Sequence, residues 1–220
     1  MEAKEILRWP RYIPPPKYLG IFVLDGSGSM SEMTAGHITK ADTVSSSLND
    51  VFSRLKASRI EHWYNFAIVN YDHRSIVKMQ PTPLKDIDDC GDYNPMDGLG
   101  GVTYISEGLK DAKKIAENFL NQSENGRQPR HVVVMILTDG FDMTQSETIR
   151  IANALKRMNH VTVTGCFIET LSYDVGEMDC CADYIKGLCS EEGLFERVAN
   201  EDDLRLFFIK SMSHLTEIYL

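Results

Sequence analysis

Three short polar segments hold the side chains best suited to bind a ligand. The first is DGSGSM at 25–30, in which glycines separate oxygen-bearing side chains, and the others are GGVT at 100–103 and TDG at 138–140. Hydroxyl and carboxylate oxygens are the ligands that hard divalent cations prefer. The segments therefore predict a site for Mg²⁺, with Mn²⁺ and Ca²⁺ as alternatives because oxygen ligands accept all three. The candidate ligands are Asp25, Ser27, Ser29, Thr103 and Asp139.

Two of these segments directly follow apolar runs. YLGIFVLD at 18–25 and HVVVMILTD at 131–139 are nearly continuous in apolar residues, which is typical of parallel strands buried on both faces. In the common doubly wound strand order 3-2-1-4-5-6 these two strands are neighbours, about 4.8 Å apart. Asp25 and Asp139 are then expected in one crevice at the carboxyl ends of the strands. Two such carboxylates repel each other unless a cation lies between them.

The remaining strands are predicted from shorter apolar runs. Residues 62–72 and 75–80 flank a turn at 72–74 and resemble a hairpin, while 160–169 and 194–198 supply two more strands. Six strands result, and only the hairpin breaks their alternation with helices. Its second strand is therefore expected at an antiparallel edge.

Helical periodicity lies between the strands. Apolar residues recur at helical spacing from Val44 to Leu55 and from Ile105 to Phe119. A capping box at 144–147 predicts a helix through Met158, and Asn200 precedes an acidic first turn that predicts another. The fold class expected is α/β: a doubly wound, mostly parallel six-stranded sheet with one antiparallel edge strand and helices on both faces.

Composition limits the possible partners and the number of domains. The 220 residues predict one large domain at 18–220, preceded by a proline-rich arm at 1–17. The net charge of −9 disfavours nucleic acid and anionic lipid as partners. No apolar run approaches the roughly 18 residues of a membrane span, and no signal peptide is evident. We therefore expect a soluble, cytoplasmic protein.

The five cysteines are an odd number at irregular spacings, so reduced thiols are expected. Cys180, Cys181 and Cys189 form the densest group. They lack the C-x-x-C spacing of common zinc sites, which favours ordinary thiols on a helix over the alternative of a zinc site.

The polar segments and their order resemble those of von Willebrand factor A domains. The matching residues are DGSGSM at 25–30, Thr103 within GGVTYISEGL, and LTDG at 137–140, and the resemblance covers about residues 18–220. It implies a metal-ion-dependent adhesion site that is completed by an Asp or Glu of a partner protein. In that site Ser27 and Ser29 touch the metal directly, Thr103 directly or through water, and Asp25 and Asp139 chiefly through water.

The chain departs from the family pattern at one position and is most similar to one group of relatives. Many intracellular members have Gly-Gly-Thr, whereas here Val102 stands between the glycine pair and Thr103. Size and the lack of a secretion signal make the chain most similar to standalone cytoplasmic bacterial members of the tellurite-resistance-associated type.

The function expected is a non-enzymatic protein-protein interaction module. It would bind a partner carboxylate through the bound cation and so assemble or regulate a cytoplasmic complex. Walker A, G-x-S-x-G and H-E-x-x-H motifs are absent from the sequence. Two alternatives stay open: a magnesium-dependent phosphohydrolase with Asp25 as nucleophile, and a structural subunit whose metal site is vestigial.

Overall fold

A computed structural model describes residues 14–34, 37–59, 61–122, 128–169 and 174–217, with side chains up to 213. Five strands of its six-stranded sheet run parallel to one another, and one edge strand is antiparallel. The strands are β1 (Lys17–Asp25), β2 (Tyr64–Tyr71), β3 (Ser75–Pro83), β4 (Arg130–Thr138), β5 (Val161–Ile168) and β6 (Phe195–Val198). Their spatial order is β3-β2-β1-β4-β5-β6. The predicted doubly wound order and the antiparallel edge strand are both confirmed.

Helices cover both faces of the sheet, as expected. They are α1 (Lys40–Lys56), α2 (Ile105–Asn121), α3 (Gln145–Lys156), α4 (Val175–Leu188) and α5 (Glu201–Glu217). Helices α1 and α5 bury their apolar residues in one core cluster, together with side chains such as Phe22 and Phe66. Helices α2, α3 and α4 contribute to the cluster on the opposite face, which includes Ile21 and Val134. The site-bearing strands thus lie between two cores.

The register of β1 and β4 fixes the position of the predicted site. Leu24 pairs with Leu137, so Asp25 at the end of β1 lies beside Thr138 at the end of β4. Both strands are buried along almost their whole length. Burial on two faces accounts for their continuous apolar sequences, because parallel strands covered by helices have no solvent-facing side.

Strand β3 is longer than predicted. It extends to Pro83 and contains two prolines, Pro81 and Pro83. Proline cannot donate a backbone hydrogen bond, so it is tolerated in a strand mainly at the edge of a sheet. The pairing of β3 with β2 is irregular around Ile68, whose partner is Met79.

Two details of the helices differ from the sequence prediction. The predicted capping box at 144–147 is wrong, because no amide of α3 donates to the Thr144 side chain, whose hydroxyl is directed at Asp142 Oδ1 at 2.7 Å. The capping box lies instead at Asp174 and Glu177, where it starts α4. Helix α3 ends at Lys156, two residues before Met158. The Asn200 cap is confirmed: its Oδ1 accepts from the Asp203 amide at 3.0 Å.

Only the end of the predicted arm falls within the described residues. Residues 1–13 lie outside them, 14–16 are irregular, and Lys17 already belongs to β1. Gln128 Nε2 donates to the carbonyl oxygen of Pro15 at 2.9 Å, which holds this stretch against the body of the fold. The division at residues 17 and 18 stays a prediction. No described helix combines the length and the apolar composition that crossing a membrane requires.

Candidate metal centre

Asp25 is held rigidly at the end of β1. Its carboxylate is fully buried. Oδ1 accepts from the Ser27 amide at 2.8 Å, and Oδ2 accepts from the Thr138 hydroxyl at 2.6 Å. The turn that follows β1 and the end of β4 are therefore joined through one side chain.

Ser27 and Ser29 face the same point as Asp139. Their hydroxyl oxygens are 3.1 Å apart, and Ser29 Oγ donates to Asp139 Oδ1 at 2.7 Å. This hydrogen bond links segments that are 110 residues apart in sequence. Because Ser29 directs its proton to a carboxylate, its oxygen lone pairs are available to a cation.

Thr103 reaches the same region through its backbone. Its carbonyl oxygen accepts from the Met143 amide at 3.0 Å, and the neighbouring Gly101 carbonyl accepts from the Gly28 amide at 3.0 Å. The Thr103 side chain is buried. Its hydroxyl is not part of the described hydrogen-bond network that connects the other four candidates. The structure thus brings Asp25, Ser27, Ser29 and Asp139 together by side-chain contacts and brings in Thr103 by main-chain contacts.

Asp72 positions the segment that contains Thr103. Its Oδ2 accepts from the amides of Gly100 and Gly101 at 3.2 and 2.9 Å. Burial acts to raise its pKa, but the amides of Arg74, Gly101 and Gly100 together with His73 outweigh burial and hold the pKa of Asp72 below its usual value. A Cβ at Gly101 would lie 2.5 Å from His73 Nδ1, so the close approach requires glycine there.

Asp142 connects the helices beside the site. One carboxylate oxygen, Oδ1, accepts from the Ile105 amide at the start of α2 and from the Thr144 amide before α3, at 3.2 and 2.9 Å. The other, Oδ2, accepts from the Tyr184 hydroxyl of α4 at 2.6 Å. Asp142 is therefore a buried connection between three helices.

A buried lysine contacts the site directly. Lys40 Nζ lies 2.7 Å from Asp139 Oδ2 and 2.8 Å from Glu32 Oε2. The Lys40 side chain is only 3% exposed and that of Asp139 is 0% exposed. Each oxygen of Asp139 thus has its own partner, the hydroxyl of Ser29 on one side and the ammonium of Lys40 on the other.

Negative charge is still concentrated at this point. Burial, followed by the nearby Asp139 carboxylate, raises the pKa of Asp25 to about 7, although hydrogen bonds from Thr138 and Ser27 act in the opposite direction. A cation beside these oxygens would favour the ionised carboxylate. The donor set consists of hydroxyl and carboxylate oxygens and fits a hard divalent cation.

Sequence reasoning did not find Lys40 or the roles of Asp72 and Asp142. Lys40 carried one signal: it is the first residue of α1, where the helix dipole disfavours a positive charge unless a carboxylate compensates. Asp72 follows β2 as Asp25 follows β1, so the strand order could have placed both at the same edge. Asp142 offered no comparable signal, because two of its partners, Ile105 and Tyr184, are distant in sequence.

The three clustered cysteines, Cys180, Cys181 and Cys189, show no sign of a metal site among the described residues. Cys180 is exposed, whereas Cys181 and Cys189 are buried, and the three do not form a group whose ligand atoms lie within 4.8 Å of one another. Cys189 Sγ contacts the carbonyl oxygen of Ile185 at 3.4 Å, a position typical of a thiol on a helix. Burial raises the pKa of Cys189 to about 12, which favours an unreactive thiol.

The sequence itself identifies the family. A family model described as the von Willebrand factor type A domain matches residues 21–141, which include all five candidate ligands. The chain belongs to the von Willebrand factor type A domain family. The sequence matches no curated protein.

Solved structures share the fold at low sequence identity. The pilus adhesin SpaC of Lactobacillus rhamnosus GG matches with a TM-score of 0.73 at 13% identity, over 93% of this chain and 31% of SpaC. The vWF domain of the type V pili tip protein Mfa5 from Porphyromonas gingivalis matches with a TM-score of 0.65 at 12% identity, over 93% of this chain and 97% of that domain.

A third solved structure is of a protein whose description names a bound metal. Proximal thread matrix protein 1 from the mussel byssus, described with a zinc-occupied MIDAS motif, matches with a TM-score of 0.60 at 16% identity. The match covers 91% of this chain and 46% of that protein. This von Willebrand factor A domain thus spans about a third of SpaC and less than half of the byssus protein. At these identities the likeness shows the fold.

Proposed function

We propose that this von Willebrand factor A domain is a protein-interaction module that holds a divalent cation and uses it to bind a carboxylate of a partner protein. Ser27, Ser29 and Thr103 would supply hydroxyl ligands, and Asp25 and Asp139 would act chiefly through bound water. Mg²⁺ is the expected ion, with Mn²⁺ and Ca²⁺ as alternatives.

One observation carries the proposal: the hydrogen bond from Ser29 to Asp139. It brings the DGSGS turn after β1 into contact with the loop after β4. It also leaves the Ser29 oxygen free to donate a lone pair, since its proton is already engaged. Ser27 Oγ lies 3.1 Å from Ser29 Oγ, so two neutral oxygen ligands are side by side.

The charges around the site favour a negatively charged ligand for the bound cation. The described hydroxyls are neutral, and Lys40 already compensates part of the charge on Asp139. A divalent ion held mainly by neutral oxygens retains positive charge, which is the electrostatic property that binds an external carboxylate. An Asp or Glu of a partner protein matches that requirement.

The geometry of Asp25 favours this function over phosphoryl transfer. Both of its carboxylate oxygens accept hydrogen bonds, and the side chain is fully buried. A nucleophile needs an oxygen that the substrate can reach. Asp25 is placed instead to orient the turn that carries Ser27.

The proposal includes a cytoplasmic complex as the setting. All five cysteines are free, as expected in a reducing compartment. Similarity to the standalone bacterial members of the tellurite-resistance-associated type stays a prediction.

Calorimetric titration with Mg²⁺ tests the metal site. The protein is first treated with EDTA and dialysed, and Mg²⁺ is then titrated into the wild-type domain, Ser29→Ala and Ser31→Ala. We expect Ser29→Ala to weaken Mg²⁺ binding at least about tenfold, which corresponds to roughly 1.4 kcal/mol. Ser31→Ala is the matched control, because Ser31 lies in the same turn but its hydroxyl donates to the Gly28 carbonyl.

Acetate is the smallest probe of carboxylate binding. With Mg²⁺ present, acetate should shift the amide NMR signals of Gly28 and Gly101, and EDTA should remove the effect. Equal Mg²⁺ affinity of all three proteins, or acetate shifts that survive EDTA, would contradict the proposal.

A further inference from the structure

Exposed apolar side chains are concentrated around the candidate metal centre. Among the residues that the structure describes, eight large apolar side chains are exposed. Four of them lie on the three site segments, taken here as 25–33, 100–104 and 139–144. These four, which we call the apolar rim, are Met33, Val102, Phe141 and Met143.

Backbone contacts and sequence neighbours place the apolar rim next to the candidate ligands. Val102 directly precedes Thr103, and the Met143 amide donates to the Thr103 carbonyl at 3.0 Å. Phe141 is two residues after Asp139. Met33 pairs with Thr39, the residue before Lys40, so it lies next to the lysine that contacts Asp139. Each of the three site segments therefore presents at least one exposed apolar side chain.

Within the same segments only Glu32 has a partly exposed carboxylate. Asp25, Asp139 and Asp142 are buried, and Glu32 is half-buried and paired with Lys40. The chain as a whole carries a net charge of −9, so an acidic ligand is repelled by most of its surface. The exposed large apolar side chains beside the candidate metal centre are uncharged, so they add no repulsion of their own there.

Large exposed apolar groups of this kind mark interaction surfaces. Methionine and aromatic residues are enriched in the buried part of protein interfaces, whereas isolated exposed apolar residues are common everywhere and carry no such meaning. The apolar rim is a cluster around one point and is therefore suited to cover apolar side chains of a partner.

We propose that the partner presents its carboxylate within an apolar sequence, so that large apolar side chains on either side of the Asp or Glu pack against Met33, Val102, Phe141 and Met143. The inference rests on the proposed function, because the partner's carboxylate is taken to bind the cation. It adds that selectivity among acidic segments comes from the apolar rim. Val102, the residue that departs from the Gly-Gly-Thr pattern, then has a role in partner choice.

Short peptides of known sequence test the inference. Three fluorescently labelled, capped peptides are used: GLEFG with an acid between apolar residues, GSESG with an acid between serines, and GLQFG without the acid. Binding is measured by fluorescence anisotropy with saturating Mg²⁺ and with EDTA. We expect GLEFG to bind at least about tenfold more tightly than GSESG. With saturating Mg²⁺, GLQFG should bind only as weakly as GLEFG binds in EDTA.

Variants of the apolar rim assign the effect to this surface. Val102→Ser and Met143→Ser should each weaken GLEFG about three- to tenfold, while their Mg²⁺ affinity and their weak binding of GSESG stay unchanged. Leu206→Ser on α5 is the matched control, because Leu206 is 49% exposed and Val102 is 52% exposed. This control should bind all three peptides as the wild type does.

The outcomes separate the inference from the proposed function. If GLEFG and GSESG bind equally and both need Mg²⁺, the proposed function stands and the role of the apolar rim is refuted. The role is also refuted if Leu206→Ser weakens GLEFG as much as Val102→Ser does. If neither acidic peptide binds, or if EDTA has no effect, both proposals fail.

Discussion

Replacing Lys40 with methionine tests how the charge at the site is balanced. Methionine keeps most of the side-chain volume but removes the ammonium that lies 2.7 Å from Asp139 Oδ2. Asp139 is then a buried carboxylate beside Asp25 whose remaining described partner is the Ser29 hydroxyl. We expect the metal-free variant to be clearly less stable than the wild type.

The size of the effect follows from the geometry of the pair. At 2.7 Å and an effective dielectric constant of about 20, the attraction between the charges is roughly 6 kcal/mol. The cost of removing both groups from water offsets part of this attraction, and breaking one side of a buried pair typically costs about 3–5 kcal/mol. We therefore expect the free energy of unfolding in EDTA to fall by about 3–5 kcal/mol.

Magnesium should reverse part of this loss. A divalent ion supplies the positive charge that the variant lacks, so we expect Lys40→Met to bind Mg²⁺ at least about tenfold more tightly than the wild type. Binding to the folded state alone stabilises it in proportion to the logarithm of the ligand concentration. The difference in stability between variant and wild type should accordingly shrink at saturating Mg²⁺.

Urea unfolding followed by circular dichroism, with EDTA and with Mg²⁺, measures both effects. Lys110→Met is the control, because Lys110 forms an exposed pair with Glu107 and its loss should change stability by less than about 1 kcal/mol. The double variant Lys40→Met/Asp139→Asn removes both charges and should recover part of the lost stability. If Lys40→Met behaves like Lys110→Met in EDTA, or if its Mg²⁺ affinity is unchanged, the reasoning is wrong.

Three further predictions concern the loops and the titration of the site. Gly101→Ala should weaken Mg²⁺ binding in calorimetry, because its Cβ would displace His73 and Asp72, whereas Gly187→Ala has open space and should leave binding unchanged. Asp25 has a raised pKa of about 7, so the folded state keeps a proton that the unfolded state has lost above about pH 4. Urea unfolding in EDTA should therefore show stability falling as the pH rises from about 4 to 7, and calorimetry should show Mg²⁺ affinity rising up to about pH 7. Tyr184→Phe removes the 2.6 Å hydrogen bond to Asp142 and should lower the free energy of unfolding by about 1–3 kcal/mol. An unchanged midpoint of urea unfolding would show that this connection between helices does not contribute to stability.

The sheet could be predicted because its central strands leave a strong signal in the sequence. Strands β1 and β4 are covered by helices on both faces, so nearly every residue is apolar and the run stands out from its surroundings. The polar residues that follow each run then had to lie at the carboxyl edge. Together with the doubly wound strand order, this placement predicts that Asp25 and Asp139 lie close to each other.

The failures come from contacts that local spacing does not encode. Thr144 has the sequence of a helix cap, but its hydroxyl is directed at the Asp142 carboxylate two residues earlier, and no amide of α3 donates to it. The contact between Lys40 and Asp139 joins residues 99 apart, and nothing in the helical pattern of α1 indicates that its first residue points into the site. Side-chain pairing between distant loops depends on the finished fold.

The pairing of Lys40 with Asp139 also bears on how strongly the site attracts a partner. When a bound cation keeps Asp25 ionised, the carboxylates of Asp25 and Asp139 and the ammonium of Lys40 sum to −2 + 1 = −1. Glu32 adds little because its side chain is 39% exposed and screened by water. The buried carboxylates of Asp72 and Asp142 accept hydrogen bonds from backbone amides and are left out of this sum. With a divalent cation the sum is +1, which favours one further carboxylate. In Lys40→Met the same sum is zero. We therefore expect this variant to bind Mg²⁺ more tightly and acetate less tightly than the wild type, and NMR titration of both ligands measures the two changes. A variant that binds both more tightly, or both less tightly, would show that net charge does not determine carboxylate binding.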